Sequence, residues 1–292
     1  MKLLYYPGCS LEASAREYDQ STRALMAAVG AELTELDDWT CCGASAAEAS
    51  SRLLALALPA RNLALAEQAG RKVDLLVPCS ACYLNLKRVE EETRRSPELL
   101  ATVNTVLAEE GLALQGGTRT RHLLDILSVD IGPKAIAAQV SRPLTGLRVA
   151  PYYGCQCLRP YPVFDDPEAP RSMEPLIAAA GAQIHEWDMG GKCCGASHVN
   201  TKPDVGLTLI SALLEGARGA DVIATVCPMC QMNLEAYQAK ASQRSGKDLA
   251  VSVLYLPQLL GLAMGMNPEQ VGLGMNLAVT ADFRNRLSPQ AA

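Results

Sequence analysis

Cys41-Cys42-Gly43-Ala44-Ser45 recurs letter for letter as Cys193-Cys194-Gly195-Ala196-Ser197. Each copy has a lone cysteine upstream, Cys9 or Cys155, and a Cys-x-x-Cys downstream, Cys79/Cys82 or Cys227/Cys230. The flanks repeat as well. Residues 3–6 lead to Gly8-Cys9 as residues 147–153 lead to Gly154-Cys155. Gly30-Ala31-Glu32-Leu33 is echoed by Gly181-Ala182-Gln183-Ile184, and Asn85-Leu86 after the first Cys-x-x-Cys by Asn233-Leu234 after the second. Matching cysteines lie 146, 152 and 148 residues apart. This is an internal duplication, and two copies make a pseudo-symmetric two-domain protein rather than a solenoid. The boundaries expected are residues 1–143 and 144–292.

The pattern around each copy is that of an α/β fold. Short apolar runs at 2–6, 32–36 and 73–77 read as strands, each leading to a cysteine group. Leu11, Ala15, Tyr18, Leu25 and Val29 fall close to one face of a helix that Gly30 ends. Residues 46–69 are Ala- and Leu-rich and helical, with Pro59 kinking the helix or starting a new one. Cys79-x-x-Cys82 opens a helix to about residue 94. Further helices are expected at 97–109 and 122–128, a linker at 130–146, a helix to about 241 after Cys230, and a frayed tail from 285. Open α/β sheets bind ligands at the carboxyl ends of their strands, and helix N-termini favour thiolates. The expected architecture is two Rossmann-like domains with metal clusters between strand ends and helix starts.

With 292 residues, 49% of them hydrophobic and 20% charged, the chain can bury a full core in each half. The net charge of −5 argues against a general nucleic-acid or anionic-membrane surface. The amino-terminal apolar run is interrupted by Pro7 and Gly8 and does not read as a signal peptide. No stretch reaches the ~20 apolar residues that span a bilayer. A cytoplasmic protein is therefore expected, where disulfides are rare. Its 11 cysteines then call for metal ligation.

Counting ligands narrows the metal. The first half offers Cys9, Cys41, Cys42, Cys79 and Cys82; the second offers Cys155, Cys193, Cys194, Cys227 and Cys230. A cubane cluster or a structural zinc takes four thiolates. A fifth thiol, with two of them adjacent, suits an extended or thiolate-bridged cluster. Structural zinc at one or both sites, the second above all, is the competing reading. A thioredoxin-like dithiol at either Cys-x-x-Cys is another. Cys157 reads as a buried thiol. His122 opens an apolar helix with a structural hydrogen bond, and His185 ends a strand near the surface. His198 follows the second Cys-Cys-Gly turn and can offer a proton to a leaving thiolate, against a purely structural role. The paired tyrosines, Tyr5/Tyr6 and Tyr152/Tyr153, read as packing. Gly43, Gly195, Gly8 and Gly154 read as turns crowded by metal-bound side chains.

The spacing Cys9-x31-Cys41-Cys42-x36-Cys79-x2-Cys82 resembles the cysteine-rich CCG domain found in the B subunit of heterodisulfide reductase. The second copy reads Cys155-x37-Cys193-Cys194-x32-Cys227-x2-Cys230, with its last gap shorter than is usual in that family. The resemblance covers nearly the whole chain. It implies two noncubane [4Fe-4S] clusters, each held by one set of five cysteines, facing a cavity where a disulfide or related sulfur bond is cleaved or formed. It also implies a ferredoxin-like iron–sulfur C subunit and a flavoprotein A subunit as partners, and a small thiol, disulfide or lipoate-bound sulfur substrate. An Ala-, Arg- and Leu-rich composition tilts this towards the bacterial members. No GxGxxG follows a strand, so no flavin or nicotinamide is expected on this chain. The alternative role is an electron-transfer subunit whose clusters, or one cluster and a zinc, only relay electrons or support a partner.

Overall fold

The computed structural model describes residues 1–69 and 73–287. The first half contains β1 (Lys2–Tyr5), α1 (Gly8–Glu12), α2 (Arg16–Ala28), β2 (Glu32–Glu35), α3 (Ala44–Ser50), α4 (Arg52–Gln68), β3 (Leu75–Val77), α5 (Ser80–Arg95), α6 (Pro97–Leu107) and β4 (Thr120–His122). Then α7 (Leu123–Asp125) runs through a π-helical turn, Ile126–Ile131, into α8 (Gly132–Gln139). The second half contains β5 (Arg148–Tyr152), α9 (Glu174–Ala179), β6 (Gln183–Ile184), α10 (Pro203–Gly216), β7 (Val222–Thr225), α11 (Pro228–Ala236), α12 (Gln238–Ser245), β8 (Ser252–Tyr255), α13 (Leu256–Ala263) and α14 (Ala281–Leu287).

Two four-stranded sheets result, ordered β2-β1-β3-β4 and β6-β5-β7-β8, with every pairing parallel. Both orders are the same, as a duplicated Rossmann-like arrangement requires. Parallel strands covered on both faces need continuous apolar runs. Leu75–Val77 and Val222–Thr225 are wholly buried for that reason. The outer strand β2, Glu-Leu-Thr-Glu, is polar at three of its four positions and stays partly exposed, which suits an edge. The strand order reverses between β1 and β3, and again between β5 and β7, leaving a crevice at their carboxyl ends.

The structure moves several boundaries. A fourth strand closes each sheet, at Thr120–His122 and Ser252–Tyr255, and neither is among the strands expected above. The stripe from Leu11 to Leu25 is buried, but the chain breaks between α1 and α2 around Ala15. Pro59 lies inside α4; the break comes earlier, at Ser51, whose extended backbone and side-chain cap to the Leu54 amide (3.3 Å) restart the helix. The expected linker holds α8, started by Gly132-Pro133 and anchored by buried Ile136. The expected frayed tail is helical to Leu287, with Phe283 buried; residues 288–292 lie outside the described residues.

The halves share one core, with Leu4 and Leu76 of the first sheet and Val149 and Leu254 of the second in a single cluster. At their seam α2 packs on α13. Tyr18 of the first half stacks on Tyr255 of the second, ring centroids 4.0 Å apart. Phe164 of the second half lies parallel to His122 of the first, at 6.1 Å. The exchange is reciprocal: each half sends the aromatic nine residues after its first cysteine onto the last residue of the other half's fourth strand. Aromatic pairs add about 0.5–1.5 kcal/mol beyond their buried area.

Candidate metal centres

All ten paired-set cysteines sit at the carboxyl ends of the strands, and each set of five comes together. In the first, the sulfurs of Cys9 and Cys41 are 3.4 Å apart and those of Cys42 and Cys82 are 3.3 Å apart. Cys41 also contacts Cys42, and Cys79 contacts Cys82, joining the five into one chain. In the second set Cys155 meets Cys193, Cys194 meets Cys230, and Cys227 meets Cys230. The four fewer residues between Cys194 and Cys227 therefore leave the second set assembled. All 11 cysteines are free thiols. Among the described residues, no three Cys, His, Asp or Glu side chains converge on a point as a single ion needs.

Backbone geometry explains the assembly. Cys79 and Cys227 are the extended residues that immediately precede α5 and α11, so their thiols lie beside unpaired amides of a first helical turn. Tyr6 donates from its hydroxyl to the carbonyl of Thr40 (2.7 Å), the residue before Cys41. Tyr152, in the matching position, donates to the carbonyl of Lys192 (2.9 Å), the residue before Cys193. Burial raises both phenols, so both remain protonated donors. Asn85 donates to the carbonyl of Cys42 (3.3 Å) and Asn233 to that of Cys194 (3.1 Å). Each Cys-Cys turn is thus tied to the strand before the lone cysteine and to the helix after the Cys-x-x-Cys. The sequence shows these tyrosines and asparagines only as part of the repeat; their recurrence three residues before the lone cysteine and three after the Cys-x-x-Cys was the available signal.

Of the four glycines expected to be crowded by cysteine side chains, Gly8 and Gly154 are, and Gly43 and Gly195 are not. A Cβ at Gly8 would come 2.8 Å from Cys82 Sγ, and one at Gly154 would come 3.0 Å from Cys230 Sγ. At Gly43 and Gly195 the obstacles are Ala47 and Gly206, from the following helices.

Charge is already shared within each set. The Cys41 hydrogen bond, then that of Cys82, pulls the Cys42 thiol well below its usual range, while Cys41 and Cys82 are pushed up as the donors. In the second set Cys155 acts likewise on Cys193, helped by the Gly195 amide and by the nearby His198 and Arg159. Cys230 lowers Cys227. Soft thiolates in this number suit iron–sulfur chemistry.

The remaining candidates sort by burial. Cys157 is buried, donates to the Tyr153 carbonyl (3.3 Å), and burial pushes its thiol up to about 12. His122 is fully buried and caps α7 by accepting from the Leu124 amide at Nδ1 (3.1 Å). His185 is buried, at 8% exposure, and bonded to the Gly216 carbonyl (3.0 Å), not placed at the surface as its strand-end position implies. His198 is exposed on the 3-10 turn Ala196–His198 beyond the second Cys-Cys pair. Arg159, which the sequence does not single out, reaches the Gly191 carbonyl beside the second set.

A cavity of about 40 Å³ lies at the second set, lined by its five cysteines with Tyr153, Gln156 and Met229. Ser80, from the first half, lines it too. Among the described residues, no helix is long and apolar enough to cross a membrane.

The cysteine-rich domain family named CCG matches residues 3–87 and 149–235, more than half of the chain. The chain is 35% identical over 277 residues to the membrane anchor subunit of the 8-methylmenaquinol:fumarate reductase of Wolinella succinogenes, covering 94% of this chain and 95% of that one. It is 29% identical over 289 residues to the B subunit of the ferredoxin:CoB-CoM heterodisulfide reductase of Methanosarcina mazei, covering 97% and 95%. A crystal structure of a hypothetical protein from Helicobacter pylori shares the fold, with a TM-score of 0.76 and 18% identity, over 96% of this chain and 52% of that one. Two matched domains, each holding its own five-thiol set, make this chain a member of the cysteine-rich CCG domain family, in the group of heterodisulfide reductase B subunits.

Proposed function

We propose that the protein is the iron–sulfur subunit of a heterodisulfide-reductase-like complex, with two domains, residues 1–143 and 144–292, each holding one noncubane [4Fe-4S] cluster. The ligands would be Cys9, Cys41, Cys42, Cys79 and Cys82 in one set and Cys155, Cys193, Cys194, Cys227 and Cys230 in the other. The observation that carries this is the assembly of five thiols, twice, around the same tyrosine and asparagine ties. Glycines that leave room for sulfur, and thiols that already share charge, fit such a group.

Cleaving a disulfide takes two electrons and two protons and yields two thiols. Clusters held by the two five-thiol sets would supply the electrons one at a time. The chain's own residues orient the site. Tyr6, Tyr152, Asn85 and Asn233 hold the Cys-Cys turns, and the buried floor of each set keeps water from Cys42, Cys82, Cys194 and Cys230. His198, exposed on the turn that follows Cys193 and Cys194, is the candidate to hand a proton to a departing thiolate. The partners would be a ferredoxin-like C subunit and a flavoprotein A subunit, and the substrate a small thiol, disulfide or lipoate-bound sulfur.

A second reading rests on the relative named for a methylmenaquinol:fumarate reductase. In it the two thiol sets would hold clusters that only relay electrons between the partners of a methylmenaquinol:fumarate-reductase-like complex, with no sulfur compound as substrate.

Anaerobic purification with iron analysis and electron paramagnetic resonance tests the proposal. About eight irons per chain are expected from two four-iron clusters. Clearly fewer than about four per set sinks the cluster assignment. Titration with thiols and disulfides separates the two roles: a perturbed cluster signal supports sulfur chemistry, and indifference to every sulfur compound supports the relay.

A further inference from the structure

The hydrogen bonds at the seam treat the two sets unequally. Ser80, inside the first Cys-x-x-Cys, is buried. Its hydroxyl lies 3.0 Å from the carbonyl of Val226, the residue before Cys227, and 3.2 Å from His122 Nε2. Its side chain also lines the cavity of the second set together with Cys227. The position matching Ser80 in the second Cys-x-x-Cys is Pro228, which has no donor. That position therefore cannot donate back to Cys79 as Ser80 can towards the second set.

Proton bookkeeping gives this contact a direction. His122 Nδ1 accepts from the Leu124 amide, so that nitrogen carries no proton. The ring is fully buried and neutral, which leaves its proton on Nε2, facing Ser80. His122 therefore donates to Ser80 Oγ, and the serine must send its single proton outward. Three acceptors lie around it: the Val226 carbonyl, Cys227 Sγ and Cys157 Sγ, the last a buried neutral thiol that itself donates to the Tyr153 carbonyl. A thiolate is the stronger acceptor, because charge-assisted bonds are roughly twice as strong as neutral ones. Val226 is not stranded by the change, since the Tyr18 hydroxyl, 3.0 Å from the Pro78 carbonyl, also lies 3.2 Å from the Val226 carbonyl.

We propose that Ser80 of the first half is a positioning residue of the second thiol set, donating to Cys227 when that cysteine is a metal-bound thiolate, with His122 orienting it and Tyr18 covering the carbonyl it leaves. The proposal rests on the iron–sulfur reading of the two sets. Its consequence is a built-in inequality. A hydrogen bond to a ligand sulfur stabilises the reduced, more negative cluster and raises its potential. The second site gains such a donor from the first half, and the first gains none from Pro228.

The test is a redox titration of the whole protein, purified anaerobically and followed by electron paramagnetic resonance. The two signals are assigned with Cys9→Ser and Cys155→Ser. Fewer than about four irons per set in the unaltered protein ends the cluster reading, and this inference with it. With full iron, Ser80→Ala is expected to move the midpoint of the second-set signal to more negative potential, leave the first-set midpoint in place, and keep the iron content. Ser80→Thr, which retains the hydroxyl, restores the midpoint. Two unmoved midpoints, or equal movement of both, overturn the proposal while the cluster reading stands. If Ser80→Ala does not fold, Tyr18→Phe is read instead. Without the tyrosine hydroxyl, the Ser80 proton is held on Val226, so the second-set midpoint falls alone; no movement in that variant overturns the proposal.

Discussion

In the first half, 36 residues separate Cys42 from Cys79, and α3 and α4 precede β3 within them. In the second, 32 residues separate Cys194 from Cys227, and a 3-10 turn followed by α10 fills the same span. The lone cysteines differ too: Cys9 lies in α1, whereas Cys155 begins an irregular stretch that lasts until α9. Yet the tyrosine-to-carbonyl bond, the asparagine-to-carbonyl bond and the sulfur contacts recur in both. Helices can be exchanged for turns where they only cover the sheet. The bonds that aim thiols are kept. The comparison separates what the sites require from what merely surrounds them.

The strongest way to break that comparison is to remove one thiol from each set. Cys42→Ser and Cys194→Ser should each cost about four of about eight irons, and each should abolish a different resonance signal. A single substitution that empties both sets would show that the halves do not hold metal independently.

Next in size is the seam. Tyr18→Phe leaves the stack on Tyr255 in place but removes the donor shared by the Pro78 and Val226 carbonyls. A loss of about 1–3 kcal/mol is expected from buried acceptors left short of a donor, read from chemical denaturation. No change would mean that Phe164, its partner by symmetry and already without a hydroxyl, is the better guide to what the seam needs.

A pH effect sharpens the same seam. Burial, with buried Glu17 of α2 nearby, pushes Glu235 of α11 up to about 7 from an ordinary 4.5. Folding thus favours its neutral form. The contribution to stability is complete below pH 4.5 and is lost as pH rises through 7. Stability measured across that window should fall less steeply in Glu235→Gln; an unchanged slope would mean that other groups set it.

The smallest effect is expected at Ser51. Its cap on the Leu54 amide exists because the first half has two helices where the second has one. Ser51→Ala should cost about 1 kcal/mol and leave iron content unchanged.

The thiol sets were legible because a five-residue identity and ten spaced cysteines occur twice, which needs no knowledge of packing. The fourth strands were not. Thr120-Arg121-His122 carries no apolar pattern; it is buried because Arg121 pairs with Asp74, Asp125 and Asp130, partners that only the folded chain supplies. Pro59 looked like a break, but the residue that ends α3 is Ser51, whose side chain can cap the next turn. Ser80 was invisible for a simpler reason. Its partner Val226 lies 146 residues away, and within its own repeat it looks like a filler between two cysteines.

The reciprocal aromatic exchange at the seam has a further consequence. A pair of identical single-domain chains could form the same seam about a two-fold axis, but every residue there would then occur twice. Ser80 could not face the second set without another serine facing the first, and Tyr18 could not differ from Phe164. Joining the copies in one chain lifts that constraint, so a single substitution can give the two ends different affinities for an electron. A molecule with a direction has been made from a dimer's plan.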